Sequence, residues 1–154
     1  MRIISGKYKG KKIFQPIDKS TRPLKDLTKE SIFNIIEHSN LLKINIKNSH
    51  VLDLFSGVGS FGLECLSRGA LSSTFFENYS YVLPILKKNI SLLNLEKNTD
   101  IFKKDIFEPN SLSNFKKKFE IIFLDPPYKE KRLDQLLKVL IKKNLLKRGG
   151  IFII

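Results

Sequence analysis

The segment FEIIFLDPPYKEK, residues 119–131, runs from a mostly apolar stretch into Asp125-Pro126-Pro127-Tyr128. An acid, two prolines and an aromatic at the end of a buried strand suit one kind of chemistry. Pro126 restricts Asp125 to extended backbone, and a proline lacks an N–H. The Asp125 carboxylate and the Pro126 carbonyl can therefore both be held outward as acceptors. Two acceptors side by side match a planar exocyclic amine, which has two N–H donors. Tyr128 adds a flat face on which an aromatic base can stack, an interaction worth about 1–3 kcal/mol. Read as structure alone, the tetrad is a rigid turn after a strand.

Three more carboxylates stand in comparable places. Asp53, Glu77 and Asp105 each fall at or just past the end of a short apolar run. In a parallel sheet these ends share one rim, where such sheets bind ligands. Any one of the acids could be a helix N-cap, but that reading explains four less well. The stretch VLDLFSGVGSFGLECLSRGA carries Phe55 and then Gly57, Gly59 and Gly62 between the first run and a helical segment. Glycines there let the backbone turn tightly and approach a ligand closely. The loop lacks the GK[ST] of a phosphate-binding P-loop, which argues against nucleotide triphosphate hydrolysis. Asp53 ahead of the loop and Glu77 after the second run fit a ligand with an amino-acid head and a ribose, Glu77 accepting from the two ribose hydroxyls. Asp105 can accept from an adenine amine, with Phe76 and Ile106 beside the ring. A nicotinamide dinucleotide stays open on these residues alone.

The elements that position these groups follow from periodicity. Residues 1–15 alternate around Gly6 and Gly10 and predict a small β-ribbon. LKDLTKESIFNIIEH, 24–38, places Leu27, Ile32, Ile35 and Ile36 at helical spacing behind Pro23. From His50 onward, HVLDLF, STFFEN, DIFKKD, FEIIFLD and GGIFII predict strands, separated by a helix ending near Arg68 and by helices over 79–95 and 130–146. Such alternation argues an α/β fold, a mostly parallel sheet with helices on both faces. The expected organisation is one domain over 1–154, with a ribbon and helix at 1–40 and the cofactor-binding and catalytic sheet at 50–154.

Composition narrows the function classes. The formal net charge is +13, carried by 28 Lys and Arg against 15 Asp and Glu. It is uneven: residues 1–50 and 101–154 each carry +7, whereas 51–100 carry −1. A bias in amino-acid usage alone would not leave the middle neutral, so a polyanionic partner is expected. Arg2, Lys7, Lys9, Lys11, Lys12 and Arg22 in the N-terminal part, with Lys129 and Arg132 after the tetrad, are the candidate nucleic-acid contacts. Lys116, Lys117, Lys118, Lys147 and Arg148 precede strands and should face the opposite rim. The single cysteine, Cys65, allows no intrachain disulfide or cysteine metal cage. No metal is expected. No apolar run is long enough for a membrane span and no secretory h-region follows Met1, so a cytoplasmic location is expected.

Taken with the motifs, the chain resembles the S-adenosylmethionine-dependent amino-methyltransferases, through DPPY and DLFSGVGSFG. RIISGKYKGKKI, TRPLKDLTKESIFNII and LDLFSGVGSFGLECLSRGA, in that order, are similar to the bacterial RsmD family across essentially the whole chain. The resemblance implies a Rossmann-like methyltransferase fold and methylation of a guanine N2 amine in small-subunit (16S) ribosomal RNA. It implies S-adenosyl-L-methionine held by Asp53, Phe55 and the Gly57–Gly62 loop at its methionine part, by Glu77 at its ribose, and by Asp105 and Ile106 at its adenine. Asp125, Pro126, Pro127 and Tyr128 become the catalytic tetrad. DPPY also serves enzymes that methylate DNA adenine or cytosine, or protein glutamine, and a nucleic-acid-binding relic without activity is the alternative outside enzymes. Family members continue past the fifth strand into a helix and an antiparallel hairpin, whereas this sequence stops at Ile154. The last strands are thus expected to be missing, and the chain monomeric unless the fifth-strand edge pairs.

Overall fold

The computed structural model describes residues 1–17, 24–108, 110–113 and 115–154. The apolar runs form strands β1 (His50–Leu54), β2 (Ser72–Phe76), β3 (Thr99–Phe102), β4 (Phe119–Leu124) and β5 (Leu146–Ile153). They pair in the order β3-β2-β1-β4-β5, all parallel. A parallel sheet is covered on both faces, so its strands read as nearly continuous hydrophobic runs. The two-residue period then divides them. Val51, Phe75, Ile121 and Phe123 enter one core and Leu52, Leu54, Phe76, Ile122 and Leu124 the other.

Helices α1 (Asp26–His38), α2 (Ser60–Ser67) and α3 (Leu83–Leu92) pack on the first face. Helix α4 (Leu133–Lys142) and the connector after β3 cover the second through Leu136, Leu140, Ile106 and Leu112. On the first face an aromatic column joins helix to sheet. The Phe33 and Phe61 rings lie 5.1 Å apart, and Phe61 stacks on Phe123 at 4.0 Å. Close approach of α2 to β2 depends on Gly62, where a Cβ would lie 2.4 Å from both Phe75 Cε1 and Ser73 Oγ.

Several expectations shift. The predicted ribbon is a single antiparallel bridge, Arg2 with Lys12, inside a run of turns. Helix α1 turns only half of the predicted apolar stripe inward: Ile36 is buried and Ile32 packs against the core, but Leu27 and Ile35 are exposed while Phe33 and Lys29 are buried. Packing onto Phe61 selects Phe33, and ion pairing selects Lys29, so tertiary contacts override the spacing at Leu27 and Ile35. The helix foreseen from 79 starts at Leu83, with Pro84 in its first turn, where a proline fits. Strand β5 starts at Leu146, ahead of GGIFII, and its register against β4 shifts between Phe119 and Ile121. Among the described residues it pairs only with β4 and is the last strand of the sheet on that side.

Gly62→Ala is expected to lower the unfolding free energy by about 1–3 kcal/mol through overpacking. Urea denaturation measures this, and an unchanged midpoint would show that Phe75 yields without cost.

Candidate active site

The strand order reverses at the β1–β4 boundary, because β2 and β3 add on one side of β1 and β4 and β5 on the other. Connections leaving β1 and β4 diverge there and leave a crevice at the carboxyl ends. A cleft of about 700 Å³ occupies this place. Glu77, Asp105 and the whole tetrad from Asp125 to Tyr128 line it, together with Phe55, Gly57, Phe76 and Ile106. A smaller extension of about 80 Å³ continues from it between Asp53 and Asp125, bordered by Met1, Leu24, Ser60 and Phe61. Asp53 lies in β1, Glu77 directly follows β2, Asp105 comes three residues after β3, and Asp125 directly follows β4.

The glycine loop folds as its composition demands. Gly57 and Gly59 have φ of 54° and 85°, in the left-handed region that a side chain disfavours. Phe55 shares that region at φ 63° without being glycine. Such backbone costs about 1–3 kcal/mol and tends to occur at functional sites. The carboxylates brace the loop. Glu77 accepts from the Gly57 N–H at 2.7 Å and from the Tyr79 N–H at 2.8 Å. Asp53 Oδ2 accepts from the Gly62 N–H at 3.0 Å. Its Oδ1 is buried and has no hydrogen-bond donor among the described residues.

Burial pushes the Asp53 carboxyl up to about 8, the Gly62 hydrogen bond opposing this and the negative charges of Asp125 and Glu77 adding to it. A buried acid with an unused oxygen beside two other carboxylates is suited to a cationic donor such as an ammonium. Glu77 has spent one lone pair on each oxygen and keeps acceptor capacity for two hydroxyls. Asp105 Oδ1 takes the Phe107 N–H at 2.9 Å, which fixes the Asp105 turn beside Ile106. Phe55 and Phe107 lie 5.8 Å apart, and the Arg132 guanidinium sits 3.8 Å from the Phe107 ring centre.

At the tetrad, Tyr128 is 84% exposed, its ring presented at the cleft. The sequence reading missed a further part of the cleft wall, made by Leu24, Lys25 and Thr28 at the start of α1, and also Tyr79, Val82 and Lys104. Leu24 to Thr28 lie inside TRPLKDLTKE, the stretch that carried the resemblance, so a signal existed but not a role.

The basic candidates separate by position. Arg2, Lys7, Lys9, Lys11, Lys12 and Lys129 are all exposed. The N-terminal segment is fastened to the core through its backbone: the Ile4 and Ser5 N–H groups donate to Glu64, Tyr8 N–H to Ser67 Oγ, and Phe14 N–H to Asn89. Its turn around Lys7 and Lys9 rests on Ser67 at the far end of α2, about 12 Å of helix from the glycine loop. That turn is thereby held on the far end of α2, away from the glycine loop. Arg2 and Lys12 bridge next to Met1 and lie nearer to it. Arg132 is held by Glu130 through two hydrogen bonds of 2.8 and 2.7 Å. Lys117 donates to Ser72 Oγ and Lys147 pairs with Glu120, both near strand starts on the opposite rim. Arg22 lies outside the described residues. Among the described residues no cluster of His, Cys, Asp and Glu could hold a metal ion, and no helix is long and apolar enough to cross a membrane.

A parallel 3-2-1-4-5 sheet with acids after its strands is the frame of Rossmann-like methyltransferases, and solved structures agree. The yhhF protein of Escherichia coli superposes with a TM-score of 0.78 at 28% identity, over 99% of this chain and 78% of that one. A hypothetical protein of Thermus thermophilus gives 0.79 at 25% identity, over 99% and 83%. The family profile described as conserved hypothetical protein 95 matches residues 1–154, and the chain belongs to that family, the RsmD family. Its relatives include the ribosomal RNA small subunit methyltransferase D of Buchnera aphidicola subsp. Baizongia pistaciae, 38% identical over all of this chain and 74% of the relative. The protein of the same name from Haemophilus influenzae is 33% identical over 98% of this chain and 76% of its own length.

The raised Asp53 carboxyl has a pH signature. Below about 4 it is protonated folded or unfolded, and its contribution to stability is fully present. As pH rises toward 8 the unfolded chain has lost this proton while the folded one keeps it, so stability falls across that window. Asp53→Asn is expected to flatten the decline in melting temperature between about pH 4 and pH 8. A decline as steep as in wild type would mean that Asp53 ionises normally.

Proposed function

We infer that this chain transfers a methyl group from S-adenosyl-L-methionine to the exocyclic N2 amine of a guanine in small-subunit (16S) ribosomal RNA. The observation that carries it is the convergence of Glu77, Asp105 and the Asp125–Tyr128 tetrad on one cleft at the strand reversal, with Asp53 and Asp125 lining the smaller pocket beside it, in a chain of the RsmD family. The relatives' names supply the substrate class.

The donor set fits the cofactor. The unused Asp53 oxygen takes the ammonium of the methionine part, beside Phe55 and the backbone of Gly57, Gly59 and Gly62. Glu77 takes the ribose hydroxyls, and Asp105 with Ile106 takes the adenine. When bound, S-adenosyl-L-methionine supplies an electrophilic methyl on a sulfonium. The protein's own groups prepare the acceptor. Asp125 and the Pro126 carbonyl accept the two N–H donors of the guanine amine, which draws the nitrogen lone pair out of conjugation and aims it. Pro127 keeps the turn rigid and offers no competing N–H. Tyr128 stacks on the base. Positioning of this kind accounts for much of the rate, and the Asp125 carboxylate stabilises the positive charge that develops on nitrogen. The proton then leaves to Asp125 or to water. The arm and α1 act with the sheet as one domain, and ribosomal RNA as substrate places the reaction in the cytoplasm.

Asp125→Ala is expected to reduce methyl transfer to small-subunit RNA by about 10²–10³-fold or more, with cofactor affinity by calorimetry close to wild type. Nucleoside mass spectrometry should find N2-methylguanine in the wild-type reaction. Methyladenine as main product, or full activity in the variant, would sink this reading.

For RNA, joint neutralisation of Arg2, Lys11 and Lys12 is expected to weaken binding and flatten its salt dependence by roughly 0.7–0.9 in log–log slope per lost phosphate contact. Neutralising Lys7 and Lys9 should do less, and Lys116 to Lys118 least. A salt titration of the three variants decides, and a reversed order would move the RNA to another face.

A further inference from the structure

One buried charge has no part in the chemistry above. Lys29 is 0% exposed, although lysine is almost never buried without partners. Its ammonium donates to the Arg2 carbonyl at 2.8 Å and to Ser60 Oγ at 3.3 Å, and pairs with Glu64 Oε2 at 3.4 Å. Those three partners belong to the N-terminal segment and to the first residue and the middle of α2. Glu64, itself fully buried, also accepts the Ile4 and Ser5 N–H groups and the Arg68 Nε at 2.9 Å. An apolar side chain of similar volume would often be as stable as such an ion pair. What it could not do is donate in three directions at once.

The segments fastened by Lys29 face the cleft. Arg2 follows Met1, and Met1, Leu24 and Ser60 border the small extension between Asp53 and Asp125. Thr28, which precedes Lys29, and Lys25, one turn before it, line the main cleft that the tetrad also lines. Lys29 therefore belongs to the first turn of α1, whose neighbouring residues form part of the wall of the cleft that holds the tetrad. We propose that Lys29 is a positioning residue for methyl transfer: it locks the Met1–Leu24–Thr28 wall to the start of α2, so that the acceptor base is confined against Asp125 and Tyr128. This rests on the methyl-transfer reading, and the test separates the two.

Lys29→Met, Lys29→Arg and Leu24→Ala are made in the full chain. In Lys29→Met, amide hydrogen exchange should quicken roughly tenfold or more at residues 2–5 and 24–28 while β2 exchanges as in wild type. Its affinity for S-adenosylhomocysteine should stay within about threefold of wild type, with kcat down at least about tenfold and KM for RNA little changed. Lys29→Arg, which can donate to the same oxygens, should recover about half of kcat or more. Leu24→Ala, which buries no unpaired charge, should lower kcat by about threefold or more at unchanged cofactor affinity. Unaltered exchange at residues 2–5 and 24–28 in Lys29→Met would overturn the locking role. A wild-type kcat in either Lys29→Met or Leu24→Ala, measured well below its melting temperature, would overturn the link to transfer. So would a fall in cofactor affinity that matches the fall in kcat. If Lys29→Met does not fold, the kcat of Leu24→Ala and the exchange pattern of Lys29→Arg decide in its place. A wild-type protein that binds cofactor but methylates no RNA would sink the functional reading, and the exchange data would still decide whether Lys29 holds the wall.

Discussion

The reversal of strand order at β1 and β4 is the constraint on which the rest depends. Chain leaving β1 runs through α2 to β2 on one side, and the long connector after β3 crosses the opposite face to reach β4 on the other. No crossover passes over the gap between the carboxyl ends of these two strands, so backbone there turns outward on both sides. Polar groups placed on those turns cannot be covered by the fold's own helices. Asp53 and Asp125 occupy the two strands of the reversal, and Glu77 and Asp105 extend the row along β2 and β3. The cleft is a consequence of topology, and the residue types decide what it accepts.

Much of this was legible because strands covered on both faces leave uninterrupted apolar runs, and because every run but the last carries an acid at or just past its end. HVLDLF and FEIIFLD could be placed within a residue or two for that reason. Helix α1 was legible as a helix but only partly in its orientation, Ile32 and Ile36 turning to the core as expected. Its buried face contains Lys29, which any hydropathy pattern assigns to solvent, while Leu27 is left 75% exposed. The N-terminal segment was misread for a related reason. Its order comes from Glu64, Ser67 and Asn89, which bind backbone groups about 60 to 75 residues away in sequence, and contacts to backbone leave no trace in the side-chain pattern of residues 1–15. A hint did exist in FGLECLS, where one glutamate interrupts a wholly buried helix. A buried carboxylate requires partners, but sequence does not say which.

Only part of the charge in this site is buried. Asp53 and Glu77 are buried, Asp105 is half-buried and Asp125 is exposed, and Asp125 and Glu77 help hold the Asp53 proton, while the exposed Lys25 and Lys104 line the same cleft and Lys129 is exposed beyond Tyr128. A cleft lined only by acids would repel RNA, and one lined only by lysines would repel a sulfonium and an ammonium. With acids grouped around the loop and cations around them, the two ligands of the proposed reaction are drawn to different zones. Screening favours this division, because exposed charges farther apart than about 8 Å at physiological salt interact weakly, whereas buried ones are screened much less. The buried Asp53 and Glu77 therefore act on whatever enters the cleft and little on phosphates outside it. A net charge of +13 around a carboxylate-lined centre is thus compatible with binding a cation and a polyanion together.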